Sequence, residues 1–133
     1  MRLWHQDIIT TLSDQRLLGQ HREVCALRGK GWGKKHSTVD YVFTHPYMNL
    51  FLYHKLVMDE LVRRSFTVNY DWYFLQYRGK TIGYDETSFT IEPHDMTTPM
   101  VYAEHDADYA ALCMKLLVER GEFALKRTEY KGD

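Results

Sequence analysis

Cysteine is scarce. Cys25 and Cys113 are the only two in 133 residues, and they lack the paired spacing of a zinc site. No apolar run is long enough to cross a bilayer, and no secretory signal pattern is present. The chain therefore reads as cytoplasmic, with no membrane partner and with reduced thiols packed on apolar helix faces. Internal repeats and low-complexity tracts are also missing. Gly29-Lys30-Gly31-Trp32-Gly33-Lys34-Lys35 alternates glycines, but it has neither P-loop spacing nor a Ser/Thr after the lysine, and it is no dinucleotide fingerprint. Seven histidines are many for this length, yet none shows the i, i+4 pairing of zinc hydrolases. Nothing in these patterns calls for a metal or another cofactor.

What is present is an aromatic-rich chain with an uneven charge. Aromatics make up 14% of the residues and apolar residues 44%, enough for a proper core in one domain spanning 1–133. Tyr and Trp suit surfaces where one side of the ring stays wet, binding sites included. The net charge is −1, but residues 1–64 carry a balance of +4 and residues 65–133 one of −5. Six bases (Arg16, Arg22, Arg28, Lys30, Lys34 and Lys35) surround a single acid, Glu23, between Arg16 and His36. A local patch of this kind attracts phosphate while the molecule stays near neutral; the alternative is a solvated charged surface.

Three segments have helical periodicity. The first runs from Asp14 to Cys25 or a little beyond, with Ser13 as N-cap and Leu17, Leu18, His21, Val24 and Cys25 as its buried stripe. Arg16, Gly19, Gln20 and Glu23 are expected on the opposite face. The second starts at Pro46, a residue suited to the first helical position, and runs to about Arg64. Its stripe is Leu50, Phe51, His54, Val57, Met58, Leu61 and Val62, with Leu52 and Leu56 adding a second apolar patch, which makes this helix central. The third spans Asp106–Arg120 and stops at Gly121, with Tyr109, Leu112, Cys113, Leu116 and Leu117 facing the core. Residues 28–45 read as loop. Residues 65–105 are mixed, with short extended pieces near Phe66–Tyr70 and Ser88–Ile91. The expected class is mostly α: one compact domain of three main helices with long irregular connections. Such connections are often functional.

Glu23 points away from the apolar stripe, and Gly19 lies one turn before it. Glycine there costs the helix about 0.8–1 kcal/mol relative to alanine, which is tolerable where something approaches the backbone closely. A carboxylate inside a phosphate-attracting patch repels the same ligand the bases attract. It is therefore either a simple surface counter-charge or a working group. Trp32, between Gly31 and Gly33, either stacks on a base or wedges into a base step, or it folds onto the core.

The run Leu12-Ser13-Asp14-Gln15-Arg16-Leu17-Leu18-Gly19-Gln20-His21-Arg22-Glu23 resembles the first helix of the pyrimidine-dimer DNA glycosylases of the phage endonuclease V type. The Asp-Gln-x-Leu pattern and the Arg22-Glu23 pair match in register. Lys34-Lys35-His36 and the helix end Arg63-Arg64-Ser65-Phe66 have counterparts. The specific part of the resemblance covers roughly the first 65 residues.

The resemblance implies a base-excision enzyme that is also an abasic-site lyase. Its nucleophile is the N-terminal α-amine, assisted by the acid matching Glu23, and it needs no cofactor. The family's amine belongs to a small residue exposed by removal of the initiator. Here Arg2 is expected to prevent that removal, so Met1 carries the amine. An α-amine titrates near 7.7–8.0 and a lysine near 10.4, so far more of the former is neutral and nucleophilic at pH 7. The implied catalytic set is Met1, Glu23 and Arg22. The implied DNA contacts are Arg2, Arg16, Arg28, Lys30, Trp32, Lys34, Lys35 and His36. The partner is double-stranded DNA carrying damaged bases or abasic sites. Two other readings remain at this point. One is a non-catalytic nucleic-acid-binding domain, which leaves Glu23 without a task. The other is a metal-dependent enzyme built on histidines such as His36, His45, His94 and His105. His21 and His54 lie in apolar stripes and read as hydrogen-bonded core residues.

Overall fold

The computed structural model describes residues 1–35, 38–85 and 100–121. It is mostly helical. Helix α1 spans Asp14–Arg28, α2 spans Tyr47–Arg63 and α3 spans Ala107–Arg120. Short 3-10 turns cover Gln6–Thr11, Asp40–Thr44 and Tyr70–Tyr73. Among the described residues the only β pairing is an isolated antiparallel bridge, Tyr77 to Tyr84. No helix among them is long and apolar enough to cross a membrane.

The helix ends follow local chemistry. The Ser13 side chain accepts from the Arg16 amide and caps α1. Pro46, whose ψ of 148° is extended, stands just before α2 and leaves Tyr47 as the first helical residue. The Asp106 carboxylate caps α3 by accepting from the Tyr109 amide, and Gly121 closes it at φ 64°, where only glycine is comfortable. Arg64 follows α2 and binds backward. Its guanidinium donates to Glu60, to Asp14 and to the carbonyls of Thr10 and Leu12, which ties the end of α2 to the start of α1. The Phe66–Tyr70 stretch forms no strand, and Ser88–Ile91 lies outside the described residues.

Helices α1 and α2 pack on each other, and the Gln6–Thr11 turn packs on α2 and α3. Leu3, Leu12, Leu17, Val24, Leu50, Tyr53, Val57, Leu61, Cys113 and Leu117 meet in one core. The face of α1 differs from the expected one. Its buried residues are Leu17, Gln20, Val24, Leu27 and Arg28, while Leu18, His21 and Cys25 are half-buried. Two polar residues take core positions because their polar groups are satisfied there, and apolar periodicity does not register them. On α2, Val62 is exposed and Tyr53 is buried; on α3, Leu112 is exposed.

Arg28 is fully buried. It donates to the Tyr47 hydroxyl, to His54 Nδ1 and to the carbonyls of Trp72, Phe74 and Tyr77, and it lies over the rings of Tyr47, Phe51 and Trp72. The expectation that Arg28 contacts DNA is therefore corrected: its donors are spent inside, holding residues 72–77 against α1 and α2. Arg28→Met leaves several buried acceptors without donors. The expected loss is about 3 kcal/mol or more, measured by urea unfolding, with the salt dependence of DNA binding unchanged in the folded fraction.

Candidate active site

Residues 2–4 are held by side chains from all three helices. On α1, the buried Gln20 side chain pairs with backbone as a neighbouring strand would. Its Oε1 accepts from the Trp4 amide at 2.7 Å, and its Nε2 donates to the Arg2 carbonyl at 2.9 Å. From α2, the Tyr53 hydroxyl lies 2.6 Å from the Trp4 carbonyl and 2.9 Å from the same Gln20 oxygen. From α3, the Tyr109 hydroxyl donates to the Leu3 carbonyl. Leu3 and Trp4 are buried as a result, whereas Met1 stands at the surface, 42% exposed.

Glu23 is three residues beyond Gln20 on α1, so one helix both fixes the chain start and carries the acid. A cavity of about 280 Å³ is lined by Met1, Arg2, Trp4, Arg16, Glu23, Thr38 and Arg120. One acid, three arginines and the first residue thus share one small polar space. The Arg16 guanidinium lies over the Trp4 ring at 5.6 Å. Arg22 is exposed on α1 and does not line this cavity. It still approaches the acid, because a Cβ built at Gly19 would sit 3.8 Å from both Arg22 Nη2 and Glu23 Oε1. That is ordinary contact distance, so Gly19 leaves a shallow bare patch beside the acid.

Met1 also borders a second cavity, of about 500 Å³. Lys30, Lys34 and Lys35 line it from the loop after α1, and Arg78 and Lys80 line it from the turn between Tyr77 and Tyr84. Trp32 is not a free wedge. Its ring is partly buried against the core, edge-on to Phe43 and Tyr47 at 5.3 and 4.9 Å. His36 lies outside the described residues. Sequence reasoning missed Gln20, which it placed on the solvent face, and Arg120, whose only signal was a basic residue at a helix C-terminus. It also passed over Arg78 and Lys80, which sit in a segment without clear periodicity.

His21, Cys25 and His54 offer three ligand atoms within 4.8 Å of one another. Their hydrogen bonds argue against a metal there. The Arg28 guanidinium has only donors, and its Nη1 lies 2.7 Å from His54 Nδ1. His54 Nδ1 must therefore accept, which puts the ring proton on Nε2, aimed at His21 Nδ1 2.8 Å away. A metal on His54 Nε2 would force a proton onto Nδ1 against that guanidinium. Burial raises the Cys25 thiol to about 12, so it is no ready thiolate. His45 pairs with Glu104, and His105 bonds to Tyr41 and the Gln6 amide. His94 lies outside the described residues.

Residues 1–74 match the sequence profile of the family described as pyrimidine dimer DNA glycosylase. The chain belongs to the pyrimidine dimer DNA glycosylase family. Neither a curated protein nor a solved structure matches it. For a pyrimidine dimer DNA glycosylase family member, DNA is the expected class of substrate. The matching segment contains α1, α2 and every residue of the smaller cavity except Arg120. Arg78 and Lys80 of the larger one lie beyond it.

Histidine burial gives this fold an acid sensitivity. Desolvation lowers His54 well below the usual imidazole range, lowers His21, and brings His105 down to about 4. Their neutral forms are favoured in the folded state, whereas unfolded histidine titrates near 6.5. Below that value the unfolded chain takes up protons that the folded chain refuses. Stability is expected to be level above about pH 7 and to fall as the pH drops from 6.5 towards 4, with His105 alone contributing roughly 2 kcal/mol of the loss at pH 5. Urea unfolding at pH 7.5 and pH 5 checks this, and His105→Gln should flatten part of the slope.

Proposed function

We propose that this chain excises damaged pyrimidines from double-stranded DNA and cleaves the abasic site that results, with the Met1 α-amine as nucleophile. The observation that carries the reading is that Met1 and Glu23 line one cavity, amid arginines suited to phosphate. The neutral amine attacks the sugar C1′, the C1′–base bond breaks, and the base departs with the bonding pair. Loss of a proton from nitrogen and opening of the sugar ring give an imine. The imine acidifies the 2′ proton. Its removal and the breaking of the 3′ C–O bond release the downstream phosphate.

Glu23 has two tasks in this sequence. As a carboxylate it stabilises the cationic sugar while the base leaves, and afterwards it moves protons at the opened sugar. Arg2, Arg16, Arg22 and Arg120 hold the phosphates that flank the lesion, and Lys30, Lys34 and Lys35 extend that contact. A lesion lowers the energy needed to unstack the site, which favours damaged over intact duplex. The hydrogen bonds that hold residues 2–4 support this reading, since an amine that needs less ordering to reach the sugar can save several kcal/mol of the barrier.

Borohydride added to protein and an abasic-site duplex should give a covalent adduct, and reductive methylation of the α-amine should abolish it. Glu23→Gln should lower strand cleavage by about a hundredfold or more and leave DNA affinity equal or tighter, since it removes a negative charge. Cleavage by Glu23→Gln at the parent rate would remove the acid from the mechanism. Gly19→Ala should raise the unfolding free energy by about 0.8–1 kcal/mol, because its methyl meets only ordinary contacts. Its cleavage rate should fall, because that methyl fills the bare patch beside Glu23. A stabilised variant with full activity would show that the patch is not used.

A further inference from the structure

The two walls of the larger cavity are tied together by two arginines, each donating to backbone carbonyls in the other's segment. Arg28, at the end of α1, donates to the carbonyls of Trp72, Phe74 and Tyr77. In return Arg78, in the turn that follows, donates to the carbonyls of Arg28 and Gly29 and reaches Asp85. The turn itself is closed by the Tyr77–Tyr84 bridge and by the Arg78 amide donating to the Gly83 carbonyl. On the opposite wall the backbone is equally constrained. A Cβ at Gly29 would lie 3.0 Å from the Arg78 carbonyl oxygen, and one at Gly31 would lie 2.7 Å from the Ala26 carbonyl oxygen. The approach at Gly31 requires glycine, and at Gly29 a side chain would press on the Arg78 carbonyl.

Between these walls Lys30, Lys34 and Lys35 face Lys80, and no acid lines the space among the described residues. None of the four lysines forms an ion pair among the described residues. The floor is apolar, formed by Leu27, Cys25 and the edge of Trp72. At about 500 Å³ the space is far larger than one phosphate needs. A cationic rim over an apolar floor fits a strand whose phosphates lie outward and whose sugars and bases face in. We infer that the turn carrying Lys80, which lies beyond the segment matching the family, is a DNA-contacting wall, and that this cavity holds the strand next to the nucleotide attacked by Met1. Arg78 acts as a positioning residue that sets Lys80 opposite the loop lysines. This inference rests on the DNA-repair reading above for its partner, but not on the lyase chemistry.

The test measures binding alone, with a duplex carrying a tetrahydrofuran abasic analogue that cannot form an imine. The logarithm of affinity is followed against the logarithm of salt concentration for the parent chain, Lys80→Ala and Lys115→Ala. Lys80 is exposed and forms no ion pair among the described residues, so the variant should fold as the parent does. Each lost phosphate contact lowers the slope by about 0.9 on duplex DNA, so Lys80→Ala should show that drop. Lys115→Ala, on the exposed face of α3, should show none. Borohydride trapping of the parent on abasic-site DNA reports the lyase chemistry separately. An unchanged slope in Lys80→Ala overturns the inference. Trapping without a slope change removes this inference and leaves the lyase reading standing. A slope change without trapping does the reverse, and failure of the parent to bind the duplex removes both.

Discussion

One buried amide organises the working end of this molecule. The Gln20 oxygen accepts from the Trp4 amide and its nitrogen donates to the Arg2 carbonyl, so a side chain on α1 pairs with the backbone as a neighbouring strand would. A chain terminus normally frays, because few contacts hold it. Here Tyr53 and Tyr109 add hydrogen bonds to residues 3 and 4 from the other two helices, and Leu3 and Trp4 anchor in the core. The chain is therefore held up to Arg2, one residue from Met1, whose side chain is exposed. Because Gln20 and Glu23 share one helix, the distance between the clamp and the acid is set by helical rise and not by loop packing. On the proposed reading, this arrangement reduces the ordering that the Met1 amine needs before it reacts.

The second constraint is the pair Arg28 and Arg78. A guanidinium buried without a carboxylate is costly unless its donors find acceptors. Arg28 meets that condition with three carbonyls, a hydroxyl and an imidazole, and with aromatic faces above and below. The same contacts fix the tautomer of His54 and, through it, of His21, so a cluster with the look of a metal site becomes a relay of hydrogen bonds. Arg78 completes the arrangement from the other side. Two residues of the type that usually meets phosphate are used to build the walls of a cavity, and lysines are left to face the space inside.

The limits of a sequence reading follow from these same residues. The three helices were legible because Ser13, Pro46, Asp106 and Gly121 mark their ends and their apolar residues repeat at helical spacing. The rotation of α1 was not, because Gln20 and Arg28 occupy core positions that hydrophobicity assigns to solvent, and neither partner is local in sequence. Glu23 stood out as one acid among bases. Arg120 could not be connected with it: their sharing of one cavity depends on how α3 docks on the Gln6–Thr11 turn, which no periodicity encodes. The glycines at 29 and 31 read as loop punctuation, whereas their role is steric, each placing its Cα close to a carbonyl oxygen, at Gly31 too close for any side chain.

The two cavities divide opposing electrostatic demands. An acid within a phosphate-binding groove weakens the binding it sits in. At 4 Å a like-charge pair costs about 1 kcal/mol in water and about 4 kcal/mol in a partly desolvated site. Glu23 is confined to the smaller space, where arginines from three separate segments surround it, and the larger space has lysines and no described acid. Met1 borders both. Arginine suits the first setting, since its planar fork can hold a phosphate oxygen and a carboxylate at fixed angles. Lysine suits the second, where a mobile point charge follows a flexible backbone without dictating its geometry. On the proposed reading the strand is gripped where no negative charge opposes it, and it meets the acid only at the sugar, where positive charge develops as the base departs. The carboxylate then favours the transition state over the bound ground state, which is the condition for an interaction to accelerate a reaction and not merely to tighten binding.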